Sequence, residues 1–282
     1  MKLSVLMSVY AKETPGFLRE SLKSLAIQTR PADEVVLVED GLLSDVLYAV
    51  LAEFREVLPI VPLRLSANVG LGEALRQGLD ICRGEFVARM DTDDVSLSRR
   101  LEKQLAFLEA NPEVDVTGTA IAEFDNDSNK PYAVRRLPSS NAELARFARW
   151  RNPLNHMSVM FRRSAVLSAG NYRPWIGFED YHLWTRMLMA GSALHNLDEV
   201  LVHVRCGNGM QTRRGGVRYV WHEARMQLEL HRLGFLNLFE CLRNIGLRTP
   251  VRLLPAPLRA LLYQFTLRHK PSRKDATSSV PA

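Results

Sequence analysis

Cysteine is scarce in this sequence. Three cysteines occur among the 282 residues, Cys82, Cys206 and Cys241, which lie far apart and form no CxxC pair. A disulfide framework needs an even set of cysteines, and a zinc site needs ligands at short, regular spacing. The sequence therefore predicts neither, and we interpret the three cysteines as buried or incidental thiols.

Long apolar runs are also absent. No run approaches the roughly eighteen residues that a membrane-spanning helix needs, and the N-terminal MKLSVLMSVY lacks the long apolar core of a cleavable signal. Hydrophobic residues make up 46% and charged residues 24% of the chain, as in ordinary folded soluble proteins. We therefore expect a cytoplasmic protein.

Positive charge is not spread evenly along the chain. Residues 205–282 carry fourteen Lys or Arg against four Asp or Glu, whereas residues 1–204 carry 23 basic and 27 acidic side chains. A basic nucleic-acid-binding module is one interpretation. The basic region has no helix-turn-helix, RNA-recognition or zinc-finger signature, however, and the acidic remainder would repel phosphate backbones. We therefore expect no nucleic-acid partner.

The first 118 residues alternate apolar strands with amphipathic helices. Strands are predicted at 3–9, 34–41, 63–66, 86–90 and 114–118, and helices at 17–28, 44–54, 70–82 and 98–110. This order is typical of an α/β protein whose mainly parallel sheet is flanked by helices on both faces. In such sheets, ligands bind beyond the carboxyl ends of the strands.

Polar residues stand at most of these strand ends. Ser8 and Tyr10 end the first strand, Asp40 ends the second, Asn68 follows the third, and a cluster of aspartates ends the fourth. Because parallel strands share their carboxyl edge, we expect these side chains to converge on one cleft.

The later part of the chain is less regular. It contains a predicted strand at 156–161 and a predicted helix that begins near residue 177 and ends before Gly191, a natural C-terminal stop. Apolar stripes at 235–242 and 258–265 predict further helices, and the tail from residue 271 is expected to be disordered.

The segment FVARMDTDDVSLSRR, residues 86–100, places Asp91, Asp93 and Asp94 directly after a predicted buried strand. One interpretation is that Asp93, Asp94 and Ser96 cap a following helix, where the helix dipole favours acids. The alternative is a metal site, because one cap needs one side chain and Asp-x-Asp offers hard oxygen ligands to Mg²⁺ or Mn²⁺. Such a cation would relieve the repulsion among the carboxylates.

A second acidic pair, Glu179 and Asp180, lies in GFEDYHLW. These acids fit the first turn of a helix, or one of them serves as a general base that deprotonates an attacking hydroxyl. His156 and His203 are isolated histidines, for which a structural role is favoured.

Three further segments contain candidate site residues that also fit ordinary structural roles. Asp40 fits a turn before a glycine, and Asn68 fits a cap. The Gly-x-Gly that follows lacks the third glycine of a GxGxxG fingerprint, which disfavours dinucleotide binding. Arg205, Arg213 and Arg214 flank the glycine-rich CGNGMQTRRGG, which is either a solvated loop or a flexible basic loop that closes over a diphosphate.

Together these motifs resemble the family 2 inverting glycosyltransferases of bacterial surface-polysaccharide synthesis, most of all the enzymes of capsular or exopolysaccharide assembly of the amylovoran type. The matching segments, in order over residues 1–216, are SVY (8–10), VEDG (38–41), NVGLGEALRQGL (68–79), ARMDTDD (88–94), RRLEKQ (99–104), NHMSVMFRRS (155–164), FEDYHLWTR (178–186) and RRGG (213–216). Each motif alone is short, and their order and spacing make the resemblance specific.

The resemblance implies a GT-A fold, a nucleotide diphosphate sugar of the UDP type as donor, and Mn²⁺ or Mg²⁺ held by the Asp-x-Asp motif. Asp93 is expected to bind the metal, Asp91 to lie on the metal or ribose side, and Asp180 to be the catalytic base. Glu179 and His156 are assigned to the acceptor side. The residues expected in the nucleotide-sugar pocket are Ser8, Tyr10, Asp40, Asn68, Arg89, Asp91, Arg213 and Arg214.

A Gln-x-x-Arg-Trp motif, which many processive members carry, is absent from the sequence, and this favours addition of a single sugar. We expect residues 1–216 to form the catalytic domain. Residues 217–270 are expected to form a basic helical extension, which either docks on the inner membrane to reach a lipid-linked saccharide acceptor or packs on the catalytic domain. The main rival class, a sugar-phosphate nucleotidyltransferase, typically has a Gly-rich basic loop after the first strand, where this sequence reads SVYAKETPGF.

Overall fold

The computed structural model describes residues 2–206 and 215–255. Three predictions lie outside these described residues: the helical stripe at 258–265, the disordered tail from residue 271, and the diphosphate contacts of Arg213 and Arg214.

The strands of the described residues form one sheet. In chain order they are β1 (Leu3–Tyr10), β2 (Glu34–Asp40), β3 (Ile60–Arg64), β4 (Phe86–Arg89), β5 (Val95–Ser96), β6 (Val116–Phe124), β7 (Ala133–Arg135), β8 (Met160–Arg162) and β9 (Leu194–Arg205). Their order across the sheet is β3-β2-β1-β4-β8-β6-β9-β5, and β7 pairs with β6. Parallel pairing joins β3, β2, β1 and β4 and also joins β6 to β9, whereas β5, β7 and β8 pair antiparallel. Parallel ladders therefore carry most of the pairing, as the sequence predicts.

Helices connect and cover these strands. They are α1 (Pro15–Ala26), α2 (Asp45–Phe54), α3 (Leu71–Ile81), α4 (Arg100–Ala110), α5 (Asn141–Ala148), α6 (Arg163–Ser168), α7 (Glu179–Met189), α8 (Val217–Arg232) and α9 (Leu238–Leu253), with a 3-10 turn at His156–Ser158. Local signals set the helix starts: Pro15 occupies the first position of α1, and the Ser44 side chain caps α2. The four helices predicted in the first half are present, each with ends within two residues of its predicted position.

The central strands are buried on both faces, which explains their continuous apolar runs. Successive side chains of a strand point to opposite faces, so alternate residues of β1 enter different cores. Val5 and Met7 pack with α1, α2 and α4, whereas Leu6 packs with α3 and α7. The sheet is therefore a layer between two sets of helices, and its carboxyl edge remains open for a site.

The prediction of a strand over 156–161 is wrong for its first half. Residues His156–Ser158 form a 3-10 turn, in which the Ser158 backbone N–H donates to the carbonyl oxygen of Asn155 at 2.8 Å. The strand β8 that follows is short and inserts antiparallel between β4 and β6. The predicted strand at 114–118 is present as the longer β6, but it pairs with β8 and not with β4.

The capping interpretation of the aspartates is also wrong. The helix α4 begins at Arg100, and its N-cap residue Arg99 makes no capping hydrogen bond through its side chain. The short strand β5, paired with β9, separates this helix from Asp93 and Asp94, and it contains Ser96. The acids therefore need another explanation.

The helices α8 and α9 pack on the rest of the chain. Met226 and Phe235 share a buried cluster with Phe178 and Tyr181, and Arg149 pairs with Glu240 of α9. The proposed division at residue 216 stays a prediction, since the helices after it lie directly on the elements before it. Within the described ranges, none of the helices is both long enough and apolar enough to cross a membrane.

Candidate active site

The three aspartates lie at the carboxyl end of β4. Parallel pairing continues past the strand, where the Met90 N–H donates to the Leu6 carbonyl oxygen at 3.1 Å and holds the aspartate segment beside β1. One carboxylate oxygen from each of Asp91, Asp93 and Asp94 lies within 4.8 Å of the others. Asp94 is buried, while Asp91 and Asp93 are partly exposed. Three acids thus present a compact oxygen cluster.

The charges of this cluster are only partly balanced, by the ion pair between Arg89 and Asp91. Burial raises the pKa of Asp93 to about 7, and the negative charges of Asp91 and Glu13 act in the same direction. Burial, with Asp91 and Asp93, also raises the pKa of Asp94 well above its usual range. One carboxylate oxygen of Asp94, Oδ2, has no hydrogen-bond partner among the described residues. Hard oxygen donors with unrelieved negative charge fit a divalent cation.

Arg205, at the end of β9, holds the aspartate segment in place. Its backbone N–H donates to Oδ1 of Asp94 at 2.9 Å, and its Nε donates to the Asp93 carbonyl oxygen at 3.1 Å. The guanidinium pairs with Glu20 and lies 3.9 Å from the ring centroid of Phe17. Sequence reasoning placed Arg205 only at the flank of a basic loop, because its partners lie more than a hundred residues away in the chain.

Arg89 lies behind the cluster at the end of β4. Its side chain is 2% exposed and forms an ion pair with Asp91. Its Nε and Nη1 have no hydrogen-bond partner in the described ranges, and the residue lines a cleft. The buried Arg100 holds the backbone of Arg89 in place, because its Nη2 donates a hydrogen bond to the Arg89 carbonyl oxygen at 2.6 Å. Burial and the neighbouring Arg89 charge lower the pKa of Arg100 to about 9.

The cleft beside Arg89 has a volume of ≈ 1060 Å³. Its lining comes from the end of β4, the 3-10 turn, the start of α7, and both C-terminal helices, α8 and α9. The predicted site residues that line it are Arg89, Asp91, His156, Glu179 and Asp180. The structure therefore brings Asp91 of the first acidic motif and both acids of the second, almost ninety positions apart in the sequence, to one cavity, whereas Asp93 and Asp94 lie outside its lining.

Glu179 and Asp180 form the first turn of α7, as one of the two interpretations predicts. Asp180 accepts hydrogen bonds from the Asn152 side chain and, at 2.7 Å, from the Tyr181 N–H, which fix its orientation. Glu179 is buried, and this burial together with the Asp180 charge raises its pKa to about 7. The two adjacent carboxyl groups therefore have different environments.

Gly72 allows α3 to approach the start of α7. A Cβ added at this glycine would lie 2.9 Å from the Arg173 carbonyl oxygen and 3.1 Å from the Cβ of Glu179. The Gly-x-Gly segment that failed as a dinucleotide fingerprint thus has a packing role at this position.

His156 lines the cleft but is also part of the packing beneath it. Its Nε2 lies 3.0 Å from the hydroxyl of Tyr172, and its ring meets Trp184 edge-on. Burial and the charge of Arg89 lower its pKa well below the usual range, so the ring is neutral at pH 7. The favoured structural role agrees with these contacts, and a role toward the acceptor stays a prediction.

The remaining predicted residues lie along the carboxyl edge but outside the cleft lining. Tyr10 is opposite Asp40 in the register of β1 and β2, and Ser8 lies two residues earlier on β1. The buried Asp40 carboxylate accepts from the Val69 N–H at 2.7 Å and from the Asn68 side chain at 2.9 Å. Asp40 therefore anchors the turn that precedes α3, and its contact with a nucleotide base stays a prediction.

Sequence reasoning missed two groups of residues in and around the cleft. Asn152, which orients Asp180, lies in an irregular segment without a motif, and so does Tyr172, which is not part of the lining but contacts His156. The region of α8 and α9 was predicted either to dock on a membrane or to pack on the catalytic domain, and no prediction placed its residues in the lining of the site. Their basic composition was visible, but no local signal shows that these helices fold back over the site.

Comparison with known proteins supports a single family. The description Glycosyl transferase family 2 matches residues 4–170. An uncharacterized glycosyltransferase of Haemophilus influenzae is 45% identical over 268 residues, 95% of this chain and 100% of that protein. The amylovoran biosynthesis glycosyltransferase AmsE of Erwinia amylovora is 43% identical, over 93% of this chain and 97% of that protein.

A third relative has a defined reaction in its name. The UDP-Gal:alpha-D-GlcNAc-diphosphoundecaprenol beta-1,3-galactosyltransferase of Escherichia coli is 34% identical, over 95% of this chain and 97% of that protein.

Solved structures share the fold. The mannosyltransferase PcManGT from Pyrobaculum calidifontis, in complex with GDP-Man and Mn²⁺, superimposes with a TM-score of 0.66 at 20% identity, over 93% of this chain and 74% of that one. S. aureus TarS 1–349 in complex with UDP-GlcNAc gives 0.63 at 21% identity, over 82% of this chain and 66% of that one. Both likenesses bear on the GT-A fold alone.

Proposed function

Because the chain belongs to glycosyl transferase family 2, we propose that it transfers one sugar from a UDP-sugar to a lipid-linked saccharide acceptor with inversion, in surface-polysaccharide synthesis. The single observation that carries the proposal is that Arg89, Asp91 and Asp180 line one cleft, beside the cluster of three aspartates to which Asp91 belongs. The matched relatives are glycosyltransferases, so the nucleotidyltransferase and nucleic-acid interpretations are left without support.

A divalent cation fits the aspartate cluster. The chemistry of the donors supports this fit, as do the unpartnered Oδ2 of the buried Asp94 and the raised pKa of Asp93. Asp91 and Asp93 would hold Mn²⁺ or Mg²⁺, while Asp94 and Arg205 fix the shape of the segment. When bound, the cation supplies positive charge for the leaving nucleoside diphosphate.

Asp180 is proposed as the general base. It lines the cleft and is oriented by Asn152 and by its neighbour's backbone N–H, so its carboxylate is fixed before the substrate arrives. It accepts the proton of the acceptor hydroxyl as that oxygen attacks the anomeric carbon from the face opposite the leaving group. A single displacement inverts the configuration. Glu179, with its pKa near 7, is partly protonated at neutral pH and suits hydrogen bonding to the acceptor.

The donor is proposed to lie along the carboxyl edge of β1, β2 and β4. Ser8, Tyr10, Asp40 and Asn68 would border its nucleoside, and the buried charge of Arg89 would lie beside its sugar-phosphate end. Arg213 and Arg214 are proposed to contact its diphosphate. The name of the Escherichia coli relative, which includes UDP-Gal, supports a uridine nucleotide.

The place of action is proposed to be the cytoplasmic face of the inner membrane. Leu238, Phe239 and Leu242 of α9 are 56%, 72% and 58% exposed, and the half-exposed Trp150 lies beneath the guanidinium of the nearby Arg243. Apolar side chains next to arginine suit the headgroup region of an anionic bilayer. The name of the Escherichia coli relative includes a diphosphoundecaprenol-linked sugar, and this supports a lipid bilayer as the surface that α9 contacts.

A panel of UDP-, GDP- and dTDP-sugars tests the proposal. Binding of each nucleotide sugar is titrated with and without Mn²⁺. Hydrolysis or transfer is measured from the amount of nucleotide that is released. We expect Mn²⁺-dependent binding of a UDP-sugar. Metal-independent binding, or none with any nucleotide sugar, would refute the proposal.

A further inference from the structure

Two sets of charged side chains line the cleft, and the part lined by α8 and α9 is termed the basic end. Asp91, Glu179 and Asp180 line one part, at the ends of β4 and the start of α7. The part built by α8 and α9 contains three arginines, Arg218, Arg248 and Arg252. A cavity of ≈ 1060 Å³ is at the upper end of ordinary ligand sites, which run from about 300 to 1,000 Å³, and has room for more than a sugar.

A single buried acid organises the basic end. Glu223 of α8 accepts from Arg248 at 3.0 Å and from Arg252 at 2.8 Å, both on α9. Burial acts to raise the pKa of Glu223, but the hydrogen bonds and charges of Arg252 and Arg248 outweigh it and hold the pKa below its usual value. One carboxylate therefore holds two guanidinium groups of α9 in place.

Further features mark this end as a place for an anion. Nη2 of Arg248 is buried and has no hydrogen-bond partner among the described residues. Arg218, five residues before Glu223 on α8, is exposed and adds a third arginine to this part of the lining. Arginine forks bind phosphate oxygens in pairs, and they keep their charge at any physiological pH.

The basic end is next to the proposed base. Tyr181, which follows Asp180 directly, lines the same cleft as Arg248 and shares a buried cluster with Met226 of α8. A saccharide whose hydroxyl reaches Asp180 would therefore have its other end close to the arginines. In a sugar linked through its anomeric oxygen to a polyprenyl diphosphate, that other end is the diphosphate.

We propose that Arg218, Arg248 and Arg252 form a binding site for the diphosphate of a polyprenyl-diphosphate-linked acceptor. The site rests on the proposed function, because it completes the acceptor half of the same cleft. It is a different site from the one proposed for the donor diphosphate, which involves the aspartate cluster together with Arg213 and Arg214. The three arginines would thereby select lipid-linked acceptors over free saccharides.

The test separates the two diphosphates by filling the donor site first. Decyl diphosphate is titrated calorimetrically into the full-length protein that is saturated with UDP and Mn²⁺, and the neutral decyl glucoside serves as the apolar control. We expect decyl diphosphate to bind and decyl glucoside to bind at least about tenfold more weakly. Arg218→Ala should weaken decyl diphosphate about tenfold and leave the dissociation constant of UDP unchanged.

Two further variants keep the test decisive. Arg252→Lys retains the charge and the pairing with Glu223 but loses the fork, so it should weaken decyl diphosphate by about threefold or more without unfolding the protein. Arg232→Ala, on the same helix as Arg218 but outside the cleft, should change nothing. The site is refuted if decyl diphosphate does not bind beside UDP, if Arg218→Ala leaves its affinity unchanged, or if the variant weakens UDP equally. Failure of the nucleotide-sugar panel, in contrast, would show as absent UDP binding in the wild type.

Discussion

Arg205 is the residue that joins the aspartate segment to the last strand of the sheet. Its main chain and side chain bind Asp94 and Asp93, and its guanidinium is held between Glu20 and the rings of Phe17 and Phe124. It does not take part in the cluster of oxygens itself. It acts as a positioning residue, because it fixes the backbone from which Asp93 projects.

We therefore predict that Arg205→Lys weakens Mn²⁺ binding. Lysine keeps a charge for Glu20 but loses the hydrogen bond to the Asp93 carbonyl and the stacking on Phe17, so the Mn²⁺ dissociation constant should rise about tenfold, or ~1.4 kcal/mol. Free Mn²⁺ measured by electron paramagnetic resonance gives this constant without any turnover. Arg99→Lys, at an exposed ion pair, is the control, and equal affinities in both variants would remove the positioning role.

At the scale of elements, α3 and α7 meet at Gly72. An alanine there would put its Cβ against backbone, which cannot move aside as a flexible side chain can. We predict that Gly72→Ala lowers the free energy of unfolding by about 1–3 kcal/mol and reduces turnover, because Glu179 must shift. Urea unfolding measures the first effect.

Gly246→Ala on α9 is the matched control for Gly72→Ala. Among the described residues, no atom outside the backbone of the helix itself lies within 4 Å of the added Cβ at this glycine, so the change should stabilise the protein by about 0.5–1 kcal/mol. Equal effects of the two substitutions would contradict the steric account of Gly72.

A second contact between elements is the buried ion pairing of Glu223 on α8 with Arg248 and Arg252 on α9. Because the folded-state pKa of Glu223 is depressed, its contribution to stability is present above its unfolded pKa of about 4.3 and is lost as pH falls through the lower folded value. Glu223→Gln should therefore cost about 2–3 kcal/mol at pH 7 and progressively less below pH ~4. Denaturant unfolding at several pH values checks this, and a pH-independent difference would show that charge is not the cause.

Elements differ in how far the sequence predicts them. Helices α1 to α4 follow from patterns contained within each segment, so their ends are predicted closely. The position of β8 depends on antiparallel pairing with β4 and β6, which no pattern within 156–161 encodes. The aspartates and the acid pair were predicted from their chemistry, whereas Arg205 and Asn152 were missed because their partners are distant in the chain.

At the scale of the whole molecule, catalytic cleft and exposed apolar face share one helix. One side of α9 lines the cleft through Arg248 and Arg252, and another side exposes Phe239 and Leu242. On the proposal that this apolar face docks on a bilayer, a lipid-linked acceptor would enter the cleft from the same surface.

We predict that Phe239→Asp weakens binding to anionic phosphatidylglycerol vesicles by about tenfold or more, because an apolar anchor is replaced by a charge that such vesicles repel. Co-sedimentation with vesicles measures the loss. Val46→Asp changes an apolar residue of α2 that is 59% exposed, and it should have no effect. If Phe239→Asp co-sediments with the vesicles as much as the wild type does, the docking proposal is wrong.

The proposed mechanism depends on separate roles for Asp93, which binds the metal, and Asp180, which removes the acceptor proton. The most direct measurement compares UDP affinity in the presence of Mn²⁺ with the rate of sugar transfer for Asp93→Ala and Asp180→Asn. We predict that Asp93→Ala loses Mn²⁺-dependent UDP binding, whereas Asp180→Asn binds UDP normally and transfers sugar about 10²–10⁴-fold more slowly. Near-normal transfer by Asp180→Asn, or unchanged Mn²⁺-dependent binding by Asp93→Ala, would contradict it.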